Sequence, residues 1–154
     1  GVQAMDLLGR KIVRDGGEAA QIFMAKVEKT IDQLDLKIES HASLSKHLKD
    51  SIGALRETVD WMLDTFKLEP GYAAAGATAL VEMMGLISGG WMLARGAIEA
   101  SRQISDGSGD PKFLSSKLVT ARYFAEVHLS RASSLVGPIK NGGSCVMDFD
   151  AAQF

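Results

Sequence analysis

Apolar side chains recur every three or four positions along most of this chain, the spacing of a helix face rather than the two-residue alternation of a strand. A short first helix is predicted over residues 2–13, with Met5, Leu8 and Ile12 on one side. It stops at Asp15-Gly16-Gly17, a turn signal that also offers a cap to a second helix. That helix is predicted over 18–38, carrying Ala20, Phe23, Val27, Ile31, Leu34 and Ile38 on one stripe. A further long helix is predicted over 43–68, with Ser43 or Ser45 as its cap. Leu48, Ile52, Leu55, Val59, Met62 and Phe66 alternate spacings of four and three, while Lys46, Lys49, Glu57 and Asp64 occupy the opposite face. Glu69-Pro70-Gly71 breaks the chain, and the third long helix is predicted over 72–105. After the polar turn at 106–111, a fourth long helix over 112–139 repeats Leu114, Leu118, Ala121, Ala125, His128, Ala132, Leu135 and Ile139. Pro138 and Gly142 are read as its end, leaving 141–154 as a tail.

Short linkers force consecutive helices to return antiparallel, so the pattern predicts an all-α, up-down-up-down four-helix bundle over 14–140, preceded by the short N-terminal helix. The 154 residues suffice for one domain with a sizeable core. Composition then narrows the classes. The 46% apolar content excludes intrinsic disorder, and a net charge of −2 gives no basic field for nucleic acid. The single cysteine, Cys145, allows neither an intramolecular disulfide nor a multi-cysteine zinc site, and suits a reducing cytoplasm. Residues 1–13 lack the basic-then-apolar pattern of a secretory leader, and a start at Gly1 without Met suggests an excised piece of something longer.

Candidate chemistry is sparse. Tyr72 to Ala94 is long and apolar enough to cross a bilayer, but Glu82 would sit near its midplane. Three amphipathic neighbours stand ready to bury it, so a central bundle helix, with no membrane span, is the expectation. Glu39-Ser40-His41 and Glu126-Val127-His128 are one residue short of the Glu-x-x-His pairs that build di-iron sites. His41 and His47 are expected to face solvent, and His128 to sit in the core or an interface. Asp106, Ser108 and Asp110 imitate the start of a calcium loop, but Pro111 stands at the sixth position and Lys117 at the twelfth. Gly107, Gly109, Gly142 and Gly143 follow no strand and form no phosphate cradle. The Met and Trp positions, Met62, Met83, Met84, Trp61 and Trp91, read as packing. No catalytic, cofactor-binding or metal-ligating residue is assigned to this chain.

Two segments carry a resemblance. One runs from Gly1-Val2-Gln3-Ala4-Met5-Asp6-Leu7-Leu8-Gly9-Arg10-Lys11 to Arg14-Asp15-Gly16-Gly17. The other joins Gly89-Gly90-Trp91-Met92-Leu93-Ala94-Arg95 to Lys117-Leu118-Val119-Thr120-Ala121-Arg122-Tyr123-Phe124-Ala125-Glu126. Together they resemble the C-terminal helical domain of a bacterial acyl-CoA dehydrogenase subfamily, the 3-methylmercaptopropionyl-CoA dehydrogenase-like enzymes. The resemblance implies a parent that oxidises an acyl-CoA thioester at its α,β-carbons with FAD and passes electrons to an electron-transfer flavoprotein. It implies that the glutamate base lies in a Tyr-Glu-Gly-Thr-like segment just before Gly1-Val2-Gln3-Ala4. It further implies that residues 1–13 end the last helix of the parent's flavoprotein core. This chain alone would then be colourless and inactive, serving packing or assembly. Glu82, Glu99 and Glu126 read as surface or ion-pair residues, not as the missing base. Residues 1–13, deprived of the core, are expected to fray or to pair with a second copy in a homo-oligomer. The alternative is a free-standing helical interaction module without enzymatic activity.

Overall fold

A computed structural model describes residues 1–149, and every described element is helical. Helix α1, Val2–Asp6, continues through Leu7–Val13 as wider π-type turns. There Arg14 N–H reaches back five residues to the Gly9 carbonyl at 3.2 Å. The Asp15-Gly16-Gly17 turn acts as the sequence predicts. Gly16 and Gly17 take φ of 65° and 89°, which glycine alone adopts without penalty. The Asp15 carboxylate accepts from the Gly17 and Ala19 amides, each at 3.0 Å, and so starts α2, Glu18–Ile31.

Helix α2 ends seven residues before the predicted 38. Thr30 and Ile31 carbonyls take short-range bonds from Gln33 and Leu34, and Asp35 N–H turns to the His41 ring instead of a helical carbonyl. Leu34 is still buried, so the apolar pattern continues although the helix does not. Helix α3, Glu39–Leu68, begins before Ser43 and Ser45. Ile38 is extended, at φ −92° and ψ 120°, and its carbonyl accepts from Ala42 at 2.9 Å. Neither serine caps the helix; Ser45 is buried within it.

The predicted third long helix is two. Helix α4, Pro70–Ala75, places Pro70 where no amide hydrogen is needed. It gives way at Gly76 to α5, Ala77–Ser105. The last helical segment comes very close here: a Cβ on Gly76 would lie 2.7 Å from the Ile139 carbonyl oxygen.

The predicted fourth long helix is a composite rod. It comprises α6, Pro111–Tyr123, π-type turns over Phe124–His128, a 3-10 segment over Leu129–Leu135, and α7, Val136–Met147. Pro138 does not end it. It falls in the first turn of α7, where the first four amides have no helical partner and a missing N–H costs nothing. Gly142 also lies inside α7, so the expected tail from 141 is helical to Met147. Residues 150–154 of that tail lie outside the described residues.

The core forms along α3. Leu44, Leu48, Leu55, Val59 and Met62 have no exposed surface and Ile52 almost none. Against them pack Met24 and Val27 of α2, Leu80, Met83 and Ile87 of α5, and Leu129 and Ile139 of the composite rod, all fully buried. The all-α bundle is therefore as predicted. Residues 1–13 find their surface within their own chain: Leu8 and Ile12 are fully buried in this core and Ala4 nearly so. The expectation of an orphaned segment holds only for Val2 and Met5, which remain exposed.

Two positions test this packing. Leu55→Asp places a carboxylate in a fully buried site and should cost several kcal/mol, read as a large fall in the urea midpoint. Gly76→Ala should cost about 1–3 kcal/mol because its Cβ meets backbone. As a control, Gly53→Ala should instead stabilise by about 0.5–1 kcal/mol, since its Cβ meets nothing within 4 Å and the position is mid-helix.

Candidate functional site

The most organised polar cluster joins the α2–α3 linker to α5. His41 does not face solvent as the sequence suggests; it is 2% exposed, and its position in the first turn of α3 turns the ring inward. Its Nδ1 accepts from Asp35 N–H at 3.2 Å, which assigns the ring proton to Nε2. Nε2 stands 3.0 Å from Ser101 Oγ of α5 and donates to it. A serine beside an imidazole suggests a nucleophile and its base, but here the nitrogen facing the hydroxyl already holds a proton. The pair therefore cannot withdraw a proton from Ser101. Its work is to close the linker: without it, the partly buried Asp35 amide loses its acceptor.

A second polar tie lies between α2 and α5. Trp91 Nε1–H donates to Thr30 Oγ1 at 2.7 Å, Phe23 meets the indole edge-on with centroids 5.8 Å apart, and the Arg95 guanidinium stands 5.8 Å from the ring centroid. This supports the reading of Trp91 as a packing residue.

The other chemistry-bearing residues resolve into surface pairs. Glu82 meets Arg131 at 3.5 Å, Glu99 meets Arg102 at 2.6 Å, and Glu126 meets Arg122 at 2.8 Å. Arg122 also reaches Glu39 at 2.5 Å. None of the three glutamates is placed as a catalytic base. Hydrogen bonds from Arg102 and then Gln103 hold the Glu99 carboxyl down at about 2, against an ordinary 4.5, and Glu99 in turn raises the Arg102 guanidinium. A hydrogen bond from Arg122 likewise lowers Glu126.

His128 is half-buried and packs by its ring against Phe124 and Tyr123, at centroid distances of 5.3 and 5.7 Å. Asp106 takes an Arg102 N–H, Ser108 donates to the Gln103 carbonyl, and Asp110 caps α6 through the Lys112 amide at 2.9 Å. The residues that imitate a calcium loop are thus engaged in the turn itself. Among the described residues no group of three His, Cys, Asp or Glu side chains could hold a metal ion. Cys145 is an exposed free thiol.

The openness of α5 leaves no mark in the sequence. This helix is long and apolar enough to cross a membrane by length and composition, yet only 33% of its most apolar stretch is buried. The expected enclosed central helix is covered on one face. Two shallow grooves lie along the other. One, of about 330 Å³, has Met92, Gly96, Phe113 and Lys117 in its wall; the second, of about 320 Å³, is formed by Gly1, Val2, Gln3 and Ala4 with Thr78 and Val81. Neither gathers a set of buried charges that could drive a reaction.

The described residues thus form a helical bundle with surface-paired carboxylates and one open apolar face. Residues 23–150 match the family described as Acetyl-CoA dehydrogenase C-terminal like, and the chain belongs to that family. It is 31% identical over 146 residues to the 3-methylmercaptopropionyl-CoA dehydrogenase of Ruegeria pomeroyi. The aligned region takes in 95% of this chain and 25% of that protein, so the chain spans about a quarter of the length of the relative it matches.

Two measurements check the site. His41→Ala should cost about 1–3 kcal/mol, because it empties a buried site and leaves two partly buried polar groups unpaired, and more than Ser101→Ala; chemical denaturation gives both. Glu99 is the clearest titrating group. Its folded value lies below the unfolded one, so its pairing favours the folded state above pH 4.5 and is lost as pH falls toward about 2. The carboxyl carbon of Glu99 should titrate near about 2 by NMR, and Arg102→Ala should return it toward 4.5. Both side chains are more than half exposed, so solvent screening keeps the effect on stability small.

Proposed function

We propose that this chain is the C-terminal helical part of an FAD-dependent acyl-CoA dehydrogenase, contributing packing and assembly while the reacting groups lie elsewhere in the polypeptide. The observation that carries the reading is the pairing of coverages: nearly all of this chain aligns with one quarter of a dehydrogenase. The parent's reaction is removal of two hydrogens from the α,β-carbons of an acyl-CoA thioester, with an electron-transfer flavoprotein as acceptor. The parent is a homo-oligomer of the cytoplasm, where the Cys145 thiol stays reduced.

The described residues of this chain do not fit FAD. A dinucleotide needs backbone amides or cations converging on its pyrophosphate, whereas both grooves along α5 are shallow and mostly apolar. The flavin and the glutamate base are therefore assigned to the preceding polypeptide.

The test is spectroscopic. The longer polypeptide should purify yellow, and its visible flavin band should bleach when an acyl-CoA is added without air. The 154-residue chain mixed with FAD and passed through a desalting column should emerge colourless. Stoichiometric flavin on the 154-residue chain, or a longer polypeptide inert to every acyl-CoA tried, would refute the reading.

A further inference from the structure

We propose that the open face of α5 is the seat of the polypeptide that precedes Gly1, so that the bundle docks through Thr78, Val81, Gly85, Met92 and Gly96 onto the body of its own molecule. This rests on the reading that the chain is one part of a longer dehydrogenase.

At 100° per residue these five positions share one side of α5, opposite the buried Leu80, Met83, Ile87 and Ala94. All five are exposed. The side is uncharged along its first four turns except at its rim, where Glu82 is already paired with Arg131. Gly85 and Gly96 sharpen the case. Glycine weakens a helix interior relative to alanine, and a Cβ at either position would meet nothing within 4 Å. No contact inside the domain demands them, in contrast to Gly90, whose Cβ would stand 2.7 Å from Leu129. Glycines that are unnecessary within the domain suit the close approach of a backbone from outside it.

The occupant is indicated by where the chain begins in space and by how much lies beyond it. The Gly1 nitrogen is 3.5 Å from Thr78 Oγ1, and Gly1, Val2, Thr78 and Val81 form one groove. A residue joined to that nitrogen stands at the edge of the α5 face, since successive Cα atoms are about 3.8 Å apart. Val2, 87% exposed, and Met5 extend the apolar surface there. The similar dehydrogenase has three quarters of its length outside the aligned quarter, ample to cover the face. Tethering favours that segment over any free partner, because an attached surface is presented at high effective concentration.

Methionines report the contact directly. In this domain Met5 and Met92 are each 46% exposed, Met147 is 51% exposed and Met83 is fully buried. The longer polypeptide is treated briefly with dilute hydrogen peroxide and sulfoxide is located by mass spectrometry. Met92 and Met5 should oxidise about as slowly as Met83, at least roughly tenfold slower than Met147. Gly85→Gln and Gly96→Gln, which fit the domain itself, should each raise the Met92 rate toward that of Met147. Oxidation of wild-type Met92 at the Met147 rate overturns the proposal. Protection that disappears on dilution to the monomer assigns the face to a second copy, and protection that appears only with phosphatidylglycerol vesicles assigns it to a membrane; either overturns it. Flavin content of the same sample separates the two readings. A colourless protein with Met92 shielded refutes the dehydrogenase and keeps the docking face; a yellow, reducible protein with Met92 exposed does the reverse.

Discussion

The seam of α3 is the constraint on which the rest of the structure depends. Leu44, Leu48, Leu55, Val59 and Met62 are fully enclosed, and they are enclosed by different neighbours in turn. Each such side chain contributes about 1.5–3 kcal/mol when removed from water. Twelve residues of α3 are buried, more than on any other described element, and α2, α5 and the composite C-terminal rod each present their own apolar stripe to it. A bundle organised around one two-sided helix needs that helix straight and long. The thirty residues of α3 contain a single glycine, Gly53, and no proline.

Close approach is the second requirement, and glycine meets it. The rod formed by α6 and α7 lies so near α5 that Gly90 is pressed against Leu129 and Gly76 against the Ile139 backbone. Ala121, Ala125, Leu129, Ala132 and Ile139, spaced by four, four, three and seven, fall within about 80° of one another at 100° per residue, so one face of the rod carries them all. The wider turns over Phe124–His128 and the tighter ones over Leu129–Leu135 interrupt this face without exposing any of the five. The polar ties, His41 between Asp35 and Ser101 and Trp91 on Thr30, then fix linker and helix at places where apolar packing alone leaves freedom.

Much of this is legible in the sequence because burial follows periodicity. The stripes of α2 and α3, the Asp15 cap and the break at Glu69-Pro70 each have a local cause written in adjacent residues. The departures are of another kind. His41 is misplaced by sequence reasoning because a ring that caps a linker amide leaves no periodic trace. Pro138 reads as a stop because a proline that ends one helix and a proline in the first turn of another look the same in one dimension. The exposed side of α5 is hidden by its own apolar character, since alanine, glycine and methionine look alike whether their partner is inside the domain or outside it. Short motifs with wrong spacing, such as Glu126-Val127-His128, cannot bring two ligands to one helical face, and the fold does not rescue them.

The irregular stretch in the last rod has a consequence for how such domains change over evolutionary time. In an ordinary exposed helix end, gain or loss of one residue is absorbed by fraying. Between Tyr123 and Val136, one residue more or less turns everything downstream by about 100°. Ile139 would leave the core and Gly143 would lose its contact with the Tyr72 backbone. Length variation among related sequences is therefore expected to collect in the 106–110 turn and beyond Met147, while the spacing from Ala121 to Ile139 stays constant even where the residues themselves are replaced.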